Sequence, residues 1–145
     1  MSELKVEQVI DASPSTVYRY LTESDRWAMW QGETASLDPR PGGRFSMVMG
    51  NGMKAEGEFV ELVPNHRVVF TWGWVGHPDL PPGSTRVEIV LTEERAGTRV
   101  VLTHSSLPEA ELDQHRVGWH HYLSRLKQAA AGLDPGPDAG PGQSS

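Results

Sequence analysis

The chain has no cysteine among its 145 residues. Disulfides, zinc–thiolate sites, iron–sulfur clusters and thiol nucleophiles are therefore excluded. It also lacks any apolar run near the roughly 18 residues of a membrane span. Basic residues are few: 13 Lys and Arg stand against 19 Asp and Glu, a formal net charge of −6. The cations are scattered, whereas nucleic-acid binding needs a basic footprint that displaces counterions. Nucleic acid is thus not an expected partner. The opening residues, Met1 to Gln8, lack the basic-then-apolar pattern of a signal peptide, so the expected location is the cytoplasm.

What is present reads as one globular domain with both kinds of secondary structure. Leu4, Val6 and Ile10 alternate with Lys5, Glu7 and Asp11, which predicts a half-buried strand. Ser13-Pro14 opens a helix, because serine caps an orphan N–H and proline suits the first helical position. Val17, Tyr18 and Leu21 follow at helical spacing, and Trp27 and Trp30 suggest a second short helical piece. From residue 34 the period becomes two. Thr34–Leu37 is a short candidate strand, and Phe45, Met47 and Met49 share one face of the next. Gly50-Asn51-Gly52 marks a hairpin, and the strand returns from about Lys54 to Leu62. Val68, Phe70, Trp72 and Trp74 are expected on one face of a further strand. A Pro- and Gly-rich loop at 75–84 leads to strands around Val87–Leu91 and Val100–Leu102. Short turns between six or seven strands favour an antiparallel meander.

Near Pro108 the period returns to 3.6. Leu112, Trp119, Leu123, Leu126 and Ala130 form one stripe, flanked by His115 and Arg116. Gly132-Leu133 fits a Schellman stop, and Pro135 prevents continuation. The predicted domain is residues 1–133. Residues 134–145 offer only Gly, Pro and polar side chains with one alanine, and are expected to be disordered. The fold class is α+β: an antiparallel sheet packed by a long C-terminal helix, with short helices after the first strand.

Five tryptophans and six histidines carry most of the chemistry. Trp72, Trp74 and Trp119 converge either as the wall of a ligand pocket or as a filled core. His115 and His120 lie about 140° apart on a helix, which is poor geometry for a shared ion, so no metal is expected. His104 and His115 both read as inward. Such a histidine makes a buried hydrogen bond or acts as a general base. Glu56 and Glu58 read as a solvated edge, while Glu61 shares the parity of Phe59 and is a candidate polar anchor. Gly50-Asn51-Gly52 with Ala55 imitates a dinucleotide fingerprint, but it precedes a strand and not a helix. No cofactor is expected.

An ordered series of short motifs spans most of the domain. It runs Ser13-Pro14-x-x-Val17-Tyr18, Trp27-x-x-Trp30, Pro41-Gly42-Gly43-Arg44-Phe45, and Gly57-Glu58-Phe59-Val60-Glu61-Leu62-x-Pro64. It continues with Val69-Phe70-Thr71-Trp72, Gly97-Thr98-x-Val100-x-Leu102-x-His104 and Gly118-Trp119-x-x-x-Leu123-x-x-Leu126. In these the chain resembles the START-like, helix-grip superfamily also called SRPBCC. Within it, the chain is most similar to the family homologous to the activator of the heat-shock-protein-90 ATPase. The resemblance implies a helix-grip fold, a curved sheet of six to seven strands wrapped on the C-terminal helix.

It further implies binding of an apolar small molecule, such as a lipid, polyketide or aromatic metabolite, between sheet and helix. The lining candidates are Trp30, Phe45, Met47, Phe70, Trp72, Trp74, His104, His115, Trp119 and Tyr122. No catalytic residue is assigned. The alternatives are an aromatase/cyclase with His104 or His115 as base, and a co-chaperone-like interaction module whose partner is a chaperone.

Overall fold

A computed structural model gives the fold and describes residues 2–136. Seven strands form a single antiparallel sheet: β1 (Ser2–Ile10), β2 (Thr34–Leu37), β3 (Arg44–Val48), β4 (Lys54–Val63), β5 (Arg67–Trp72), β6 (Thr85–Glu94) and β7 (Gly97–Leu107). Helices α1 (Pro14–Thr22) and α2 (Ser24–Trp27) follow the first strand, and α3 (Leu112–Ala130) closes the fold after a 3-10 turn at Glu109–Glu111. The spatial order is β1-β7-β6-β5-β4-β3-β2. Strands β2 to β7 are therefore a meander, and only β1 crosses over to pair with the last strand. The short candidate at Thr34–Leu37 is a true strand and forms the far edge.

Local chemistry explains the helix ends. The Ser13 hydroxyl accepts from the Thr16 N–H at 3.3 Å, with Pro14 at the first helical position. Helix α1 buries Val17, Tyr20 and Leu21, while Tyr18 is only half-buried. At the end of α3, Leu133 N–H donates to Gln128 C=O at 2.9 Å and Gly132 N–H to Ala129 C=O at 3.1 Å. Gly132 sits at φ +87°, which completes the Schellman pattern. The buried stripe of α3 is His115, Trp119, Leu123, Leu126, Ala129 and Ala130. His115 thus belongs to the stripe itself, whereas Arg116 is exposed and Leu112 half-buried.

Two bulges decide which side chains face α3. Phe59 pairs with Phe70 but Glu61 with Val69, so β4 carries one extra residue against β5. The insertion reverses the parity of the strand. Leu62 is turned toward the core and Glu61 outward, where it lies 3.3 Å from Arg67 Nε. Glu61 is therefore no interior anchor, contrary to the alternation read from the sequence. In β7, Leu4 pairs with His104 and Ser2 with Leu107. The extra residue is absorbed around Ser106, held at φ +65°, and His104 and Leu107 are both buried.

A third departure is at Trp74. Strand β5 stops at Trp72, because Gly73 runs so close to Pro81 that a Cβ there would lie 1.8 Å from its carbonyl oxygen. Trp74 begins the connecting loop, with its N–H on Leu80 C=O and a bridge to Ala55. Residues Asp134 to Gly136 are also described, and they are not free. Arg125 donates from its two terminal nitrogens to Pro135 C=O and Gly136 C=O, and from Nε to Trp30 C=O. The expected disorder of the remaining tail, 137–145, lies outside the described residues.

Candidate functional site

Strands β3, β5 and β7 and helix α3 bring most of the aromatic candidates into one continuous assembly. Phe45 and Phe70 stack with centroids 4.4 Å apart, and Phe45 lies 5.8 Å from Trp72. Trp72 meets Trp74 edge to face at 5.3 Å and Trp119 of α3 at the same distance. His104 packs at right angles to His115, centroids 5.4 Å apart. Met47 is buried in the same core. Trp30 joins from the opposite end through Trp27, which touches Phe45 and Phe70 edge-on. Trp74 and Tyr122 are half-buried, and Tyr122 packs against the ring of His121.

The polar atoms within this assembly form two directional chains. Trp119 Nε1–H donates to His104 Nδ1 at 2.9 Å. That lone pair being occupied, neutral His104 carries its proton on Nε2 and donates to Thr85 Oγ1 at 2.8 Å. Thr85 in turn donates to Trp72 C=O at 2.7 Å. In the second chain Trp74 Nε1–H donates to His115 Nε2 at 3.2 Å. His115 then donates from Nδ1 to Glu111 C=O at 2.9 Å. The loop carrying Trp74 has one more tie to α3's entry, His77 Nε2 lying 3.7 Å from Glu111 Oε1.

Electrostatics follow from burial. His104 is fully buried, and loss of hydration pushes its pKa down to about 3, helped by repulsion from His115. Burial also lowers His115, against a smaller upward pull from the Glu111 carbonyl and carboxylate. Each imidazole has its acceptor nitrogen filled by an indole N–H, so neither retains a lone pair to take a proton from a substrate. Neither offers a metal ligand, and no group of three His, Asp or Glu among the described residues could hold an ion. A groove of about 260 Å³ on the other face of the sheet is lined by Arg44, Glu56, Glu58, Thr71 and Pro82. It is polar and shares no residue with the aromatic assembly.

Thr85 and Trp27 were not among the sequence candidates. Trp27 carried a signal, its i, i+3 relation to Trp30. Thr85 carried none, because it faces Trp72 in the register only after the intervening loop has closed. Within the assembly, Trp72 Nε1 is buried and meets no hydrogen-bond partner among the described residues.

Comparisons with known proteins agree with this architecture. The human activator of 90 kDa heat shock protein ATPase homolog 1 is 25% identical over 127 residues, which is 87% of this chain and 36% of that protein. The chain thus spans about a third of the length of that relative. The solution structure of an AHSA1-like protein from Rhizobium etli is 40% identical, with a TM-score of 0.73, covering 99% of this chain and 91% of the other. DynU16, from the dynemicin biosynthetic locus, shares the fold at a TM-score of 0.80 and 22% identity, over 93% of this chain and 49% of its own. No helix of the described residues is long and apolar enough to cross a membrane. The profile of the Activator of Hsp90 ATPase homolog 1-like proteins matches residues 11–131, and the chain belongs to that family.

Proposed function

We propose that this domain binds an apolar small molecule between the inner face of the sheet and α3. The observation that supports it is the convergence of Trp72, Trp74 and Trp119 beside two neutral histidines, in a family fold shared with a protein of a biosynthetic locus. The half-buried Trp74 stands at the rim. The loop from Gly73 to Ser84 lies over the assembly, tied to α3 by the Trp74–His115 bond. A cyclase using His104 or His115 as general base is not proposed, since both acceptor nitrogens are spent.

Titration with an apolar fluorophore tests the reading. Burial of about 300 Å² of ligand surface at roughly 25 cal/mol per Å² offers about 7 kcal/mol before ordering costs. A generic probe should therefore bind in the micromolar to high-micromolar range. Its emission should rise while tryptophan emission is quenched. Trp72→Ala should weaken binding, and Glu93→Ala, exposed near the far end of β6, should not. Failure of a chemically varied probe set to bind below millimolar, with the fold intact, refutes the pocket.

A second reading is favoured by the match to the human ATPase activator: docking on a chaperone. Co-purification of the 90 kDa chaperone with the tagged domain, and stimulation of its ATPase, would support it. No capture at micromolar concentrations would dismiss it.

A further inference from the structure

We infer that the ligand of this site bears a neutral acceptor oxygen on an otherwise apolar body, and that Trp72 Nε1–H donates to it. The inference rests on the pocket reading above and names its ligand class. Trp72 is 1% exposed, lies between Phe45, Trp74 and Trp119, and its indole N–H meets no acceptor among the described residues. Buried N–H groups are almost always paired, with protein, water or ligand.

The neighbouring polar atoms narrow the partner. Trp119 and Trp74 spend their N–H groups on the two histidines. His104 spends its own on Thr85, and Thr85 spends its on Trp72 C=O. Trp72 is thus the donor left over. A cationic ligand would need a carboxylate inside, and the near one, Glu111, stands at the rim beside His77. An anion would need a compensating positive charge. Protonated His104 cannot supply it, because its Nδ1 faces an indole N–H. A neutral carbonyl oxygen satisfies the remaining donor without either cost.

Fluorene and fluorenone share one rigid tricycle and differ by CH₂ against C=O. Calorimetric titration of both into the full chain and into Trp72→Phe isolates the bond, because the difference between proteins cancels the unequal solubility of the probes. The expected result is that Trp72→Phe weakens fluorenone about tenfold, or about 1.4 kcal/mol, and fluorene by much less. The carbonyl stretch of fluorenone should fall on binding to the unmodified protein. The Trp72 indole proton should move downfield with fluorenone and not with fluorene. These two signals need no variant and hold if Trp72→Phe does not fold. Equal binding changes and an unshifted carbonyl overturn the assignment while leaving the pocket standing. The N–H would then rest on the Trp74 ring face or a water. Failure of either probe to bind overturns the pocket and the assignment together.

Discussion

The buried His104 makes stability depend on pH in a way that one substitution can isolate. In the unfolded chain a histidine titrates near its ordinary value of about 6.5. In the folded protein, burial holds His104 at about 3. Between these values the unfolded state binds a proton that the folded state refuses, so stability falls as pH falls through the unfolded value. The decline ends below the folded one. Above pH 7 the site contributes no pH dependence. At about pH 5 the linkage amounts to about 2 kcal/mol from His104 alone. His115, also lowered by burial, adds in the same direction, and surface carboxylates add their own slope.

His104→Gln separates these contributions. The glutamine carbonyl can accept from Trp119 Nε1 and its amide can donate to Thr85, so the two bonds survive without the titration. Urea denaturation at pH 7 and pH 5 should show the unmodified protein losing about 2 kcal/mol more than His104→Gln. Parallel losses in the two proteins would mean that His104 protonates freely in the fold, and the directional chain from Trp119 to Thr85 would be refuted.

Three further perturbations test the packing of α3 and the hydrogen bonds of Arg125. Trp119→Ala removes a ring that is 3% exposed and touches Trp72 and His104, and should cost about 3–5 kcal/mol in urea denaturation. A cost below about 1 kcal/mol would place the ring in solvent and contradict the helix phase. Arg125→Ala removes three charge-assisted bonds to backbone carbonyls and should cost about 1–2 kcal/mol. Among the described residues, truncation after Leu133 takes away the acceptors at Pro135 and Gly136, which water replaces, and should cost less than about 1 kcal/mol. A truncation as damaging as Arg125→Ala would show that the tail, and not the Trp30 carbonyl, is what Arg125 secures.

Local chemistry was enough to read much of this protein. The Ser13-Pro14 start, the Gly132 stop, the alternation of β3, β6 and β7, and the stripe of α3 all depend on neighbours within one turn or one strand. The motif series pointed to the same family that the comparisons identify. Periodicity also placed Trp72, Trp119, His104 and His115 inward, since a strand or helix face is set by spacing.

What failed lay where the chain departs from its own period. The extra residues in β4 and β7 are set by partner strands, so Glu61 was assigned to the wrong face and the close spacing of His104 and Leu107 was invisible. Trp74 left β5 because Gly73 meets Pro81 from a loop that had yet to close. The two hydrogen-bond chains were equally out of reach. Each joins residues many positions apart in sequence, Trp74 to His115 and Thr85 to His104, whose atoms become partners only when sheet and helix meet. Spacing along strand and helix decided that His104 and His115 would be buried. Only tertiary contact decided that their acceptor nitrogens would be filled by indoles, because Trp119 and Trp74 reach them only when sheet, loop and helix close together.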